Sequence, residues 1–205
     1  FVIIWFIKKD VFVIDLTTKE VTNITNDIFS ESSPSWSSNG EIIYFTSDRG
    51  QNTSTNSMYD VDFSQTDIFQ YSYQTNIVSQ LTNTEYNENY PVADSDGNLY
   101  YTADYNGITN IFRHDLINDD ASPITNVITG VQQIDLDNNN NLVFSGFKKR
   151  GWDLYLINNL DKSEKKEIKP TQFYSNKNRN SDFEDLRNFS NKTVSTCLLY
   201  TSDAA

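Results

Sequence analysis

Residues 90–126 read YPVADSDGNLYYTADYNGITNIFRHDLINDDASPITN. Turn-forming Asp, Asn and Gly at Asp94 to Gly97 and at Asp104 to Gly107 bracket an apolar run centred on Leu99-Tyr100-Tyr101-Thr102. Asn110-Ile111-Phe112 opens a second run, and Ile124-Thr125-Asn126 closes a third. Strand side chains alternate between two faces, and Val, Ile, Tyr, Phe and Thr suit a pleated, half-buried surface. The stretch therefore predicts four short strands, at about 90–93, 98–103, 109–115 and 121–125, joined by tight turns. Nothing in it carries the apolar period of an amphipathic helix.

The same pattern recurs along the chain. Asp10-Val11-Phe12, Asp67-Ile68-Phe69, Asn110-Ile111-Phe112 and Asp153-Leu154-Tyr155 stand 57, 43 and 43 residues apart. Ile24-Thr25-Asn26, Leu81-Thr82-Asn83 and Ile124-Thr125-Asn126 follow at the same spacings, 57 and 43. Two independent marks thus share a period of 43, and the first interval carries 14 extra residues, placed in the polar run Gln51 to Ser64. A third mark, Ser33-Pro34-Ser35-Trp36 ahead of Asn39-Gly40, matches Tyr90-Pro91-Val92-Ala93 ahead of Asp96-Gly97. Its fourth-unit copy, Gln132 to Asn140, has lost both Pro and Gly. Strands are expected at about 33–37, 41–46, 66–72 and 77–81 in the second unit, and at about 131–135, 141–146, 152–158 and 164–168 in the fourth. A four-stranded unit repeating every 40–45 residues or so is the signature of a propeller blade. Both faces of a blade pack on neighbours, which accounts for the adjacent aromatics Tyr44-Phe45 and Tyr100-Tyr101. The expected fold is all-β, a partial β-propeller of about three and a half four-stranded antiparallel blades. Residues 1–26 form an incomplete first blade, 27–83 a second with the insert 51–64, 84–126 a third and 127–168 a fourth. Residues 169–196 read as a polar linker or the start of a further unit.

The runs SPSWSSNGEIIYFTSDRG (33–50), DIFQYSYQTNIVSQLTN (67–83) and YPVADSDGNLYYTADYNGITNIFRHDL (90–116) resemble the TolB-type propeller repeat, over roughly residues 8–168. The resemblance implies a ring of about six or seven blades, so the chain reads as an arc of a larger protein, because only closure hides every blade face. TolB-type blades occur in periplasmic TolB proteins, in propeller domains joined to serine peptidases, and ahead of outer-membrane surface-antigen barrels. Residues 124–157, ITNVITGVQQIDLDNNNNLVFSGFKKRGWDLYLI, are most similar to the last group. The closing CLLYTSDAA (197–205) resembles a translated sequencing adapter, which implies a scar that holds the one cysteine. The opening FVIIWFI is far shorter than the roughly 20 apolar residues of a membrane helix.

Composition narrows the function. Aromatic residues make up 14% of the 205, too many for a disordered chain despite a net charge of −12. That acidity argues against nucleic acid as a partner, and no segment is suited to direct membrane insertion. One Cys and one His leave no disulfide framework and no Cys- or His-based metal cluster. No G-x-S-x-G and no Gly-rich phosphate loop occurs, so no catalytic residue, metal or cofactor is expected. Asp94-Ser95-Asp96-Gly97-Asn98 begins like a calcium loop, but the required Gly and Glu positions hold Leu99 and Tyr105. It reads instead as a turn whose carboxylate bonds its own backbone, as does Asp135 to Asn139. His114 is expected at a surface or blade edge, and Trp36, Trp152 and Pro34 in the core or a blade seam.

Loops after the second strand of each blade share one face with the links between blades, where rigid scaffolds carry binding residues. The candidates are Asp48 and Arg49, then Asp104, Tyr105 and Asn106, then Lys148 and Arg150. The resemblance implies a non-catalytic protein- or peptide-binding module of the bacterial cell envelope, whether periplasmic or secreted, with a protein or peptide of that compartment as partner. Its alternative is a propeller domain gating a serine peptidase whose catalytic domain lies outside this sequence.

Overall fold

A computed structural model describes residues 9–50, 63–160, 163–172, 174 and 175. The opening FVIIWFI with Trp5, most of the 51–64 insert, most of 169–196 and all of 197–205 lie outside the described residues. Contacts divide the chain into Phe1–Pro170 and Thr171–Ala205. The described part of the second unit is one helical turn, in which the Ser175 N–H donates to the Thr171 carbonyl at 2.9 Å.

The first unit is all-β. β1 (Phe12–Ile14) and β2 (Val21–Asn23) form a two-stranded sheet. β3 (Glu31–Trp36), β4 (Ile42–Ser47), β5 (Asp67–Ser72) and β6 (Ile77–Gln80) form an antiparallel meander in that order. β7 (Glu88–Ala93), β8 (Asn98–Ala103), β9 (Asn110–Asp115) and β10 (Asp120–Pro123) repeat it. β11 (Val131–Leu136), β12 (Leu142–Lys148) and β13 (Gly151–Ile157) form a three-stranded sheet. The arrangement is a partial β-propeller of four-stranded antiparallel blades.

Each repeat mark has a structural task. The Thr82 hydroxyl accepts from the Ile68 N–H, 14 residues upstream, at 2.9 Å. Thr25 does the same for Val11 and Thr125 for Ile111, also at 2.9 Å. This clip satisfies a backbone donor that the buried strand otherwise leaves unpaired. Thr125→Val should therefore cost about 1–3 kcal/mol in urea denaturation, with Thr125→Ser retaining most of the stability. A loss below about 0.5 kcal/mol would show that the clip is dispensable.

The fourth blade lacks the clip, and there the structure departs from expectation. Fourteen residues beyond Leu154 stands Ile168, which has no hydroxyl. No strand forms over 164–168. The segment runs instead along β10, with the Lys166 N–H donating to the Pro123 carbonyl at 2.8 Å and Lys165 pairing with Asp120 at 3.2 Å.

Adjacent residues on the second and third strands face opposite seams. Tyr44 and Ile68 pack forward onto Leu99, Tyr101 and Phe112 of the next sheet, whereas Phe45 and Phe69 pack backward around Val11. Tyr100 and Ile111 likewise meet Val131, Leu142 and Phe144. At the matching forward positions of the last sheet, Val143 and Leu154 are exposed, Leu154 to 80%.

Three expectations about side chains are corrected. His114 is buried, because it occupies the inward position that Tyr71 holds one repeat earlier. Its Nε2 lies 2.8 Å from Asp119 Oδ1, as the Tyr71 hydroxyl lies 2.6 Å from Asn76 Oδ1. Trp36 and Trp152 are half-exposed rather than core residues, resting on Tyr73 and Phe147. Pro34 is exposed, on a strand whose other edge is open.

Candidate functional site

β3, β7 and β11 are each the first strand of a sheet, and they stand side by side, with the Ser35 hydroxyl donating to the Pro91 carbonyl at 2.5 Å. Each carries a bulge where its register to the next strand shifts. At each bulge a non-glycine residue takes positive φ: Ser33 at 51°, Tyr90 at 56° and Gln133 at 50°. An L side chain there is strained, and a bulge re-aims the side chains around it. The result is an open groove of about 440 Å³ lined by Ser33 to Ser35, Tyr90 to Val92 and Gln133 to Asp135. The sequence reading missed this strip, since no glycine marks the bulges. Ser33-Pro34 and Tyr90-Pro91, 57 residues apart, were the available signal.

The loops after β4, β8 and β12 use their side chains very differently. Asp48 Oδ1 accepts from the Ser30 N–H, and Asp104 Oδ1 from the Asn87 N–H, both at 2.8 Å. These carboxylates tie the start of each blade to the end of its second strand. Burial raises the Asp48 carboxyl above its ordinary value, with the Ser30 hydrogen bond opposing. Asn106 is buried, accepting from the Ile108 N–H at 3.1 Å and donating to the Lys169 carbonyl at 3.2 Å. Lys148 and Arg150 are exposed.

Arg49 is 3% exposed and lies inside the seam. Its Nη2 is 2.6 Å from Glu31 Oε1, its Nη1 3.0 Å from Asp27 Oδ2, and its Nε donates to the Ser47 hydroxyl at 3.0 Å. The guanidinium lies 5.8 and 5.3 Å from the stacked rings of Phe45 and Phe69, and 5.2 Å from Phe29. Arg49 thus plugs the corner of its blade by charge pairing and cation–π contact. One repeat on, Tyr105 holds that place over the stacked Tyr101–Phe112 pair, 6.2 Å from Phe112 and 4.8 Å from Tyr86.

Among the described residues, the third corner has no plug. Phe144 and Tyr155 stack at 5.3 Å, as the earlier pairs do. Register places Val131 opposite Gly146, as Glu31 is opposite Ser47 and Glu88 opposite Ala103. Counting from those pairs, Thr129 stands where Phe29 and Tyr86 were, and Lys148 where Arg49 and Tyr105 were. The space they leave is an open pocket of about 570 Å³, walled by Asn126 to Val131 and floored by Phe144, Gly146 and Tyr155, with Lys148 and Lys149 at its rim.

The Asp-rich turns bond themselves. Asp94 Oδ1 accepts from the N–H groups of Asp96 and Asn98, both at 2.8 Å, with Gly97 at φ 89°. Asp137 Oδ1 does the same for Asn139 and Asn141, and the Asn141 side-chain amide, donating to Oδ2 at 2.9 Å, together with these bonds holds the Asp137 carboxyl below its ordinary value. Among the described residues, no group of three or more His, Cys, Asp or Glu is placed to hold a metal ion, and no helix is long and apolar enough to cross a membrane.

No protein-family model matches the chain, and no curated protein matches it. Its architecture matches solved structures. A putative TolB from Agrobacterium tumefaciens superposes with a TM-score of 0.61 at 15% identity, over 78% of this chain and 56% of that one. TolB from Acinetobacter baumannii gives 0.54 at 17% identity, over 76% and 36%. A puromycin-hydrolyzing peptidase from Mycobacterium tuberculosis gives 0.50 at 14% identity, over 68% and 20%. The chain has the fold of a TolB-type β-propeller and spans 36% and 56% of the lengths of the two TolB chains.

Proposed function

We propose that the chain is a non-catalytic protein- or peptide-binding module of the bacterial cell envelope, acting on a rigid all-β scaffold. The observation that carries this reading is the groove along β3, β7 and β11, where three strained bulges hold an open strip beside the ends of the blades. Backbone strain repeated at Ser33, Tyr90 and Gln133 costs stability, and it is the kind of feature that persists where it positions a binding surface. The groove offers first-strand edges and alternating apolar and polar side chains, which suit an extended peptide or a loop of a protein. Of the loop residues, Lys148 and Arg150 are exposed and, among the described residues, carry no ion pair, whereas Asp48, Arg49, Asp104 and Asn106 build the scaffold behind them. The uncovered face of Val143 and Leu154 is where a further blade would sit. Likeness to the TolB structures supports the envelope setting.

The second reading, a propeller domain serving a peptidase, rests on the fold shared with the puromycin-hydrolyzing peptidase. A downstream G-x-S-x-G motif in the gene would select it.

A photo-crosslinking residue placed at Gln133 or Arg150 should capture envelope proteins or peptides, while the same residue at Asn39, in the turn at the other end of the blade, should not. Equal capture from Asn39, or none from either loop-side position, would overturn the proposal.

A further inference from the structure

We propose that the unplugged corner of the fourth blade is a pocket for the aromatic residue at the carboxyl end of a peptide. The argument starts from what the chain itself puts in the same place. Against Phe45 and Phe69 lies the Arg49 guanidinium, which also contacts the Phe29 ring; against Phe112 lies the Tyr105 ring, tilted by 59° and edge-on to Tyr86. Each plug is a planar, delocalised group in contact with a stacked aromatic pair, so the floor suits a planar group. Over Phe144 and Tyr155 the described residues supply none, because Thr129 and Lys148 stand at the plug positions. Gly146 shapes the floor: a Cβ there would lie 2.9 Å from Tyr155 Cε2, so the Tyr155 ring sits in space that Ser47 and Ala103 fill with side chain.

The rim decides between a cation and an anion. Lys148 and Lys149 line the mouth, both are exposed, and among the described residues neither is paired with a carboxylate. Asp153, across from Gly146 in register, does not line the pocket. A guanidinium ligand would meet Lys148 and Lys149 without the carboxylates that hold Arg49, since Val131 and Val127 stand where Glu31 and Asp27 were. An aromatic ring with a carboxylate a few bonds away satisfies both floor and rim, and a peptide's last residue presents that pair. The pocket also adjoins the β12–β13 loop, which already faces the proposed binding side, so the inference rests on that reading.

The test uses the whole chain, labelled with nitrogen-15, and three probes: acetyl-Gly-Gly-Phe as the free acid, the same peptide as its amide, and acetyl-Gly-Gly-Ala. The Phe acid should shift the amides of Val127 to Gly130 and of Lys148 saturably. The amide should bind at least about threefold more weakly, which is the worth of an exposed charge pair. The Ala peptide should not saturate. Thr129→Phe, which restores the residue type of Phe29, should abolish binding while leaving spectral dispersion unchanged, and Lys148→Gln should erase the preference for acid over amide. Shifts confined to the Ser33, Tyr90 and Gln133 strip, or full affinity in Thr129→Phe, would overturn the assignment. So would phenylacetate binding as tightly as the tripeptide, because the pocket would then take a free aromatic acid. Crosslinks from Gln133 with no shifts at Thr129 would sink this pocket alone; shifts at Thr129 without crosslinks would sink the groove reading and leave the pocket standing.

Discussion

Arg49→Ala should lower the unfolding free energy by about 3–5 kcal/mol at pH 7.5, the largest loss expected of any single charge in the chain. Two effects add. The substitution empties the space over Phe29, Phe45 and Phe69, and it leaves Glu31 buried with only the hydroxyls of Thr25 and Ser47, at 2.7 and 3.1 Å. Burial already pushes the Glu31 carboxyl up to about 7, with the Thr25 hydroxyl and Arg49 opposing. Without the guanidinium it rises further, so the deficit should narrow as the pH is lowered toward 5 and Glu31 takes up a proton. The partner variant separates the two effects. In a Glu31→Gln background no charge is stranded, and Arg49→Ala should then cost only the lost packing, about 1–3 kcal/mol. Urea denaturation of the four proteins at pH 5.5 and 7.5 measures this. A loss below 1 kcal/mol in the native background would mean that Arg49 is not a structural plug.

How Arg49 came to be read as a loop cation shows what a sequence pattern carries here. The blades were legible because each mark does local work: a Thr clips an N–H 14 residues back, and an Asp closes a turn four residues long. Such bonds repeat with the chain and so appear as a period. Burial of Arg49 depends instead on Glu31, 18 residues upstream, and on Phe69, beyond the insert. No periodicity reveals that a cation lies on rings brought together by strand pairing. His114 hid for the same reason, since its tie to Asp119 is legible only beside the Tyr71–Asn76 pair. The fourth strand of the last blade was over-read: apolar spacing continued to Ile168, but the hydroxyl that fastens the strand did not. The groove strip went unread because its bulges put Ser, Tyr and Gln, rather than Gly, at positive φ. The corner pocket is different again. Thr129 and Lys148 are unremarkable alone, and become a site only once register equates them with Phe29 and Arg49.

Glu88 occupies the repeat position of Glu31 without its arginine, and the consequence is a stability that falls as pH rises. The residue is 1% exposed. Thr84 donates to its Oε1 at 3.2 Å, and among the described residues Oε2 has no hydrogen-bond partner. Burial pushes the carboxyl up to about 7, the Thr82 and Thr84 hydroxyls oppose, and the nearby Asp67 and Asp104 charges reinforce the rise. A folded value above the ordinary one means that the native state holds the proton more tightly than the unfolded chain. The protonated form's stabilisation is therefore complete below about pH 4.5 and is lost as pH climbs through about 7. A gap of this size corresponds to at most about 3 kcal/mol. Glu31 titrates over the same window and adds to the slope. The carboxyls of Asp115 and Asp137 are held below their ordinary value of 3.8 by the side-chain amides of Asn118 and Asn141 and by turn N–H groups, and that of Asp15 by the Thr18 and Thr17 N–H groups, so their contribution changes only at more acid pH. Glu88→Gln keeps the shape and removes the charge. Its Tm should match the native protein's near pH 5 and exceed it at pH 8, by an amount equivalent to about 2–3 kcal/mol. The fall in Tm between those pH values should shrink but not vanish, because Glu31 remains. A native Tm that rises from pH 5 to 8, or a Glu88→Gln protein with an unchanged slope, would show that Glu88 is solvated or paired in solution.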